Sequence, residues 1–105
     1  HYPDAAAMAQ IAAQLGDMPK LEILLQKLVS LAPDQPEPHY DLAALYAILG
    51  KTPQALQDLQ AALDLSAKRL ATNPAAHDLL AEARKDPRFD SLRYLPAFQK
   101  LVPPG

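Results

Sequence analysis

The sequence contains no cysteine, and only three of its 105 residues are glycine. The absence of cysteine excludes disulfide bonds, thiolate metal ligands and a cysteine nucleophile. Three isolated glycines cannot form the glycine-rich loop that cradles a phosphate. The β-branched residues that strands favour are also scarce, at seven positions in the whole chain. We therefore expect an all-α protein without thiol chemistry.

Neither basic nor acidic residues are in large excess. Ten Lys and Arg face twelve Asp and Glu, which gives a formal net charge of −2. A nucleic-acid or anionic-membrane partner would require a basic surface, so neither is expected. No apolar run approaches the ~20 residues of a membrane-spanning helix, and we expect a soluble chain. A cysteine-free chain is compatible with the cytoplasm and with the periplasm or the extracellular space, so the localisation stays open.

Proline is abundant instead, with eleven residues that lie between apolar segments rather than inside them. Proline is tolerated in the first turn of a helix, so Pro19 and Pro53 each predict a helix start. Apolar residues recur between the prolines and glycines with the spacing of one helical face. The predicted helices cover residues 5–15, 19–31, 42–49, 53–72 and 75–86. The length of the chain suits one small domain, residues 1–105.

The first two-thirds of the chain contain an internal repeat. Residues 2–35 aligned with residues 36–69 give eight identities at a constant offset of 34, among them Gly16 with Gly50 and Pro19 with Pro53. Thirty-four residues with two helices per unit is the period of the tetratricopeptide repeat. On these residues the chain resembles the tetratricopeptide repeat family.

The second unit follows the family's pattern closely, with small alanines at positions 43, 55 and 62, Tyr46 at the aromatic position and Gly50 at the turn. The alanines permit close approach of helices, and Gly50 is expected in the left-handed conformation. The first unit is looser but keeps a closing proline, Pro33, which Ala67 replaces in the second. The resemblance implies a right-handed α-α superhelix of two hairpins, residues 2–35 and 36–69.

We expect residues 70–102 to form capping helices that cover the apolar end of the superhelix. Asn73 is predicted to cap the helix at 75–86. After that helix a Pro-x-Phe-x-x-Leu pattern occurs twice, at an offset of nine residues, and places Phe and Leu on one side of a helical turn. The expected apolar plugs are Phe89, Leu92, Phe98 and Leu101. Endings of this type resemble those of many bacterial tetratricopeptide chains.

Three histidines, His1, His39 and His77, are the obvious side chains for acid–base or metal chemistry near neutral pH. Metal ligands on a helix need spacings of three or four residues on one face, which these histidines lack. No Gly-x-Ser-x-Gly pattern marks a serine nucleophile. We therefore expect no catalytic residue, no metal site and no cofactor.

Charged residues cluster at the end of the predicted helix at 75–86. We interpret them as a solvent-exposed face, because exposed helical ion pairs contribute only about 0.2–0.5 kcal/mol each. The cluster consists of Glu82, Arg84, Lys85, Asp86 and Arg88.

In the family the first helix of each unit lines a concave groove. The resemblance implies that mostly small or apolar residues face this groove, and an exposed apolar strip of this kind favours an interaction site. The expected groove residues are Ala6, Gln10, Ala13, Gln14, Tyr40, Asp41, Ala44, Ala47 and Ile48. Two alternatives remain: the alanines only favour helix formation, or the C-terminal segment of the chain itself lies against the strip.

One groove type in the family binds a chaperone's C-terminal carboxylate through basic and amide side chains. The corresponding positions here are Ala6, Gln10 and Asp41, and the charge of Asp41 disfavours a carboxylate ligand. We therefore expect a non-enzymatic interaction module that binds an apolar peptide or a partner helix. The alternatives are a structural subunit of a stable assembly, a homo-oligomer included, and an accessory domain of a larger enzyme. Two units are fewer than the three that usually fold alone.

Overall fold

The computed structural model describes residues 18–103, and all regular secondary structure in this range is helical. The all-α prediction is confirmed for this part of the chain. The predicted helix at 5–15 lies outside the described residues. In chain order the helices are α1 (Met18–Leu31), α2 (Pro36–Ile48), α3 (Thr52–Thr72), α4 (Leu79–Lys85), the 3-10 helix η1 (Pro87–Leu92) and α5 (Pro96–Leu101).

Prolines mark helix starts, as predicted for Pro19 and Pro53, but α2 begins at Pro36, six residues before the start of the predicted helix at 42–49. A proline occupies one of the first two positions of α2, α3, η1 and α5. The missing N–H of proline would have no partner in the first turn of a helix, so the residue costs no hydrogen bond there. Helix α3 continues to Thr72, because Ala67 replaces the proline that closes the first unit.

The turn between α2 and α3 is built around Gly50. Its φ of +78° lies in the left-handed region, which confirms the prediction for this glycine. The Lys51 N–H donates to the Tyr46 carbonyl at 2.8 Å, and the Gly50 N–H donates to the Ala47 carbonyl at 3.3 Å. This pair of hydrogen bonds is the Schellman motif, which satisfies the last carbonyls of a helix. The chain therefore reverses within a few residues.

Asn73 is the C-cap residue of α3 and does not cap the helix predicted at 75–86, so this prediction is wrong. Its side chain accepts a hydrogen bond from the Ala75 N–H within a turn. Helix α4 begins only at Leu79, where the Asp78 carboxylate accepts from the N–H groups of Leu80 and Ala81. A carboxylate at the N-cap satisfies two unpaired donors and also suits the positive end of the helix. The later cap therefore determines the start of α4.

Helix α2 is the centre of the molecule. It packs against α1, α3 and η1, while α4 and α5 pack against α3. Among residues 40–48 only Asp41 and Ile48 are exposed. The alanines predicted at close helix contacts, Ala43, Ala55 and Ala62, have no exposed surface. Small side chains let the three long helices approach one another without overpacking.

The C-terminal segment completes the same core. Three of the four predicted plugs, Phe89, Leu92 and Phe98, are buried, and Leu101 is half-buried. The rings of Phe89 and Phe98 lie 5.8 Å apart between their centroids. We call residues 79–102 the cap, because they cover α2 through η1 and α3 through α4 and α5.

Candidate interaction surface

The nine residues predicted to line a groove fall into three groups. Four of them lie outside the described residues: Ala6, Gln10, Ala13 and Gln14. On α2, Tyr40, Ala44 and Ala47 are buried, whereas Asp41 and Ile48 are exposed. The expectation of a continuous exposed strip along α2 is therefore wrong at the three buried positions. The helical spacing predicts that Tyr40, Ala44 and Ala47 share one side of α2. It does not reveal that other parts of the chain cover these three residues.

At Tyr40 the covering element is η1. The edge of one ring points at the face of the other in the Tyr40–Phe89 pair, with centroids 5.4 Å apart and an interplanar angle of 83°. This arrangement is the preferred one for aromatic pairs. The alternative raised above, in which the C-terminal segment lies against the strip, thus describes the surroundings of Tyr40.

A polar network links the same two elements. The Tyr40 hydroxyl donates a hydrogen bond of 2.8 Å to the Asp86 carboxylate. Arg88 donates to that carboxylate through Nη2 at 2.8 Å, through Nε at 3.1 Å and through its backbone N–H at 3.0 Å. Asp86 is buried, so its earlier interpretation as part of a solvent-exposed face is wrong. It also caps η1, and an Asp directly before Pro is the sequence signal that could have indicated this role.

The network fixes the protonation states of its members. Burial by itself would raise the pKa of Asp86, but the hydrogen bonds from Arg88 and Tyr40 hold that pKa below the usual aspartate value. Burial, and then the hydrogen bond to Asp86, raises the pKa of the Tyr40 hydroxyl far above its usual value. At neutral pH the carboxylate is therefore charged and the hydroxyl is protonated. Such a network stabilises the junction between α2 and the cap.

Asp41 lies at the solvent-facing side of this network. Its Oδ1 is 3.8 Å from Nη1 of Arg88, whose guanidinium is already held at 2.8 Å by Asp86. The Arg88 guanidinium also lies over the Tyr40 ring, 5.6 Å from its centroid. Two carboxylates thus share one cation, and the half-exposed Asp41 gives this part of the surface a negative character.

The C-terminal end of α2 is apolar and exposed. Ile48 exposes 54% of its surface and the following residue, Leu49, exposes 39%. Leu49 occupies the C-cap position just before the Gly50 turn. We call Asp41, Ile48 and Leu49 the α2 edge. Within residues 18–103, Asp41 and Ile48 are the part of the predicted groove that solvent reaches, and Leu49 extends this exposed surface.

Further polar contacts join the helices away from this edge. The Tyr46 hydroxyl donates to Glu22 at 3.1 Å and accepts from Gln26 at 3.0 Å, which ties α1 to α2. The Arg69 guanidinium contacts Glu37 at 2.6 and 2.9 Å, which ties α3 to α2, and this pairing lowers the pKa of Glu37. We interpret both contacts as structural links between helices.

The histidines of the described part have separate surroundings. His39 lies 3.5 Å from Asp58 and 3.3 Å from the Pro33 carbonyl, and His77 lies 3.0 Å from Glu82. His1 lies outside the described residues. From residue 18 to residue 103, no three His, Asp or Glu side chains are arranged to hold a metal ion. In the same range no helix has the length and apolar character needed to cross a membrane.

Comparison of the chain with the models of known families, with curated proteins and with solved structures gives no match.

Proposed function

We propose that the chain is a non-enzymatic protein–protein interaction module, built as a short tetratricopeptide-like superhelix that binds an apolar peptide or a partner helix. The observation that carries this proposal is a repeated pattern of burial. Helix α1 (Met18–Leu31) corresponds, at the offset of 34, to residues 52–65 of α3. Leu25 and Leu28 of α1 are buried, and so are their equivalents Leu59 and Ala62. Two helices with the same buried face at the repeat distance are what a duplicated hairpin predicts.

Two local features support the proposed architecture. The Schellman turn at Gly50 reverses the chain at the point where a tetratricopeptide unit turns from its first to its second helix. The alanines at positions 43, 55 and 62 are completely buried, as expected where helices of such a unit approach closely. In this proposal the first helix of the first unit is the one predicted at 5–15.

The α2 edge is the proposed contact surface on the second unit. Ile48 and Leu49 are neighbouring aliphatic side chains that remain exposed next to the Gly50 turn. Complete burial of a fully exposed side chain of this type yields about 1.5–3 kcal/mol, and covering Ile48 or Leu49, which are already partly buried, yields part of that. A partner that covers both residues with its own apolar side chains therefore gains affinity here. Ala44 and Ala47 are buried, so they are not part of the proposed contact.

Asp41 restricts the chemistry of the partner. Its carboxylate shares Arg88 with Asp86, so a second anion placed beside it would be repelled. A neutral or basic group of the partner fits this position. The proposal therefore favours an apolar peptide or helix and disfavours a terminal carboxylate.

Affinity capture followed by mass spectrometry, from an extract of the cells that produce the protein, tests the proposal. Ile48→Arg should lose the captured partner, because a guanidinium replaces the apolar contact. Ile23→Arg is the matched control: Ile23 exposes 65% of its surface on α1 and lies outside the α2 edge. Both variants should keep the helical circular dichroism of the unaltered chain. Capture that survives Ile48→Arg, or that both substitutions abolish equally, contradicts the α2 edge as the binding surface.

The proposed architecture has its own test. In an experimental structure of the 105-residue chain, residues 5–15 should form a helix antiparallel to α1. The hairpin formed by residues 2–35 should then superpose on the hairpin formed by residues 36–69. If residues 5–15 adopt a different conformation while the α2 edge still binds its partner, the repeat architecture is contradicted and the proposed binding surface is not.

A further inference from the structure

We draw no further inference here: the strongest candidate, the exposed apolar patch of Ile48 and Leu49 at the C-terminal end of α2, belongs to the surface already proposed for partner binding, and nothing in the structure shows what covers it.

Discussion

The Tyr40 hydroxyl and the Asp86 carboxylate are hydrogen-bonded at 2.8 Å although 46 residues separate them in the chain. The contact joins the central helix α2 to the junction of α4 and η1. Both groups are buried, and the Tyr40 ring packs at the same place on Phe89. The cap is thus held on α2 by apolar packing and by a satisfied polar network together. Tyr40→Phe, Asp86→Asn and Phe89→Ala test this junction, and Gly50→Ala tests the turn at the C-terminal end of α2.

Tyr40→Phe isolates the hydroxyl, because the ring and its packing on Phe89 are retained. The Asp86 carboxylate keeps its hydrogen bonds from Arg88, so the loss should be moderate, about 1–2 kcal/mol in the free energy of unfolding. Urea denaturation followed by circular dichroism measures it. Tyr94→Phe is the control, since Tyr94 is largely exposed and should show no change. Equal effects of the two substitutions would mean that the buried hydrogen bond contributes nothing.

Asp86→Asn tests the charge of the network and its dependence on pH. The folded protein holds the pKa of Asp86 below its unfolded value, so the charged form adds stability that is present above about pH 4 and is lost as the pH falls further. At pH 7 the variant should be less stable by about 1–3 kcal/mol. The difference between the two proteins should shrink when unfolding is measured below pH 4. A difference that stays constant from pH 7 to pH 2.5 contradicts the role of the charge.

Gly50→Ala tests the turn that ends α2. No atom lies within 4 Å of the position where a Cβ would be added, so crowding cannot explain a loss of stability. The cost should come from the left-handed backbone alone, at about 1–2 kcal/mol. Gly50→Asn should be less destabilising, because asparagine tolerates this conformation. Thermal unfolding of the two variants gives the comparison, and a Gly50→Ala protein as stable as the unaltered one would be the contrary result.

Phe89→Ala tests whether the cap and the three long helices form one cooperative unit. Phe89 is completely buried between Tyr40 and Phe98, and removal of a buried phenylalanine ring usually costs about 3–5 kcal/mol. We expect the whole helical signal to be lost in a single transition at a lower urea concentration. Two separate transitions, with α1 to α3 persisting after the cap unfolds, would show that the cap folds independently.

Much of the fold could be predicted because local residues determine it. Prolines mark the starts of α1 and α3, Gly50 ends α2, and Ala67 lets α3 continue where Pro33 closes the first unit. The apolar plugs Phe89 and Phe98 also followed from a short local pattern. All of these signals lie within a few residues of the structure they specify.

The candidate site was less predictable because its surroundings come from distant parts of the chain. Periodicity shows which residues of α2 share a side, but it does not show that η1 covers the side with Tyr40. Asp86 is buried beside Tyr40, which is distant in the chain, so the residues around Asp86 do not predict its burial. A helix enclosed on several sides also has no single apolar face, so the usual separation into inner and outer positions fails for α2.

The enclosure of α2 limits how descendants of this sequence can change. Residues 42–47 are all buried, so most substitutions there destabilise the fold whatever else they change. Under the proposed function, variation that alters specificity is limited to the two exposed positions of the helix, 41 and 48, and to the neighbouring turn. A lineage that acquires a new partner should therefore differ first at these sites, while the enclosed segment remains almost unchanged.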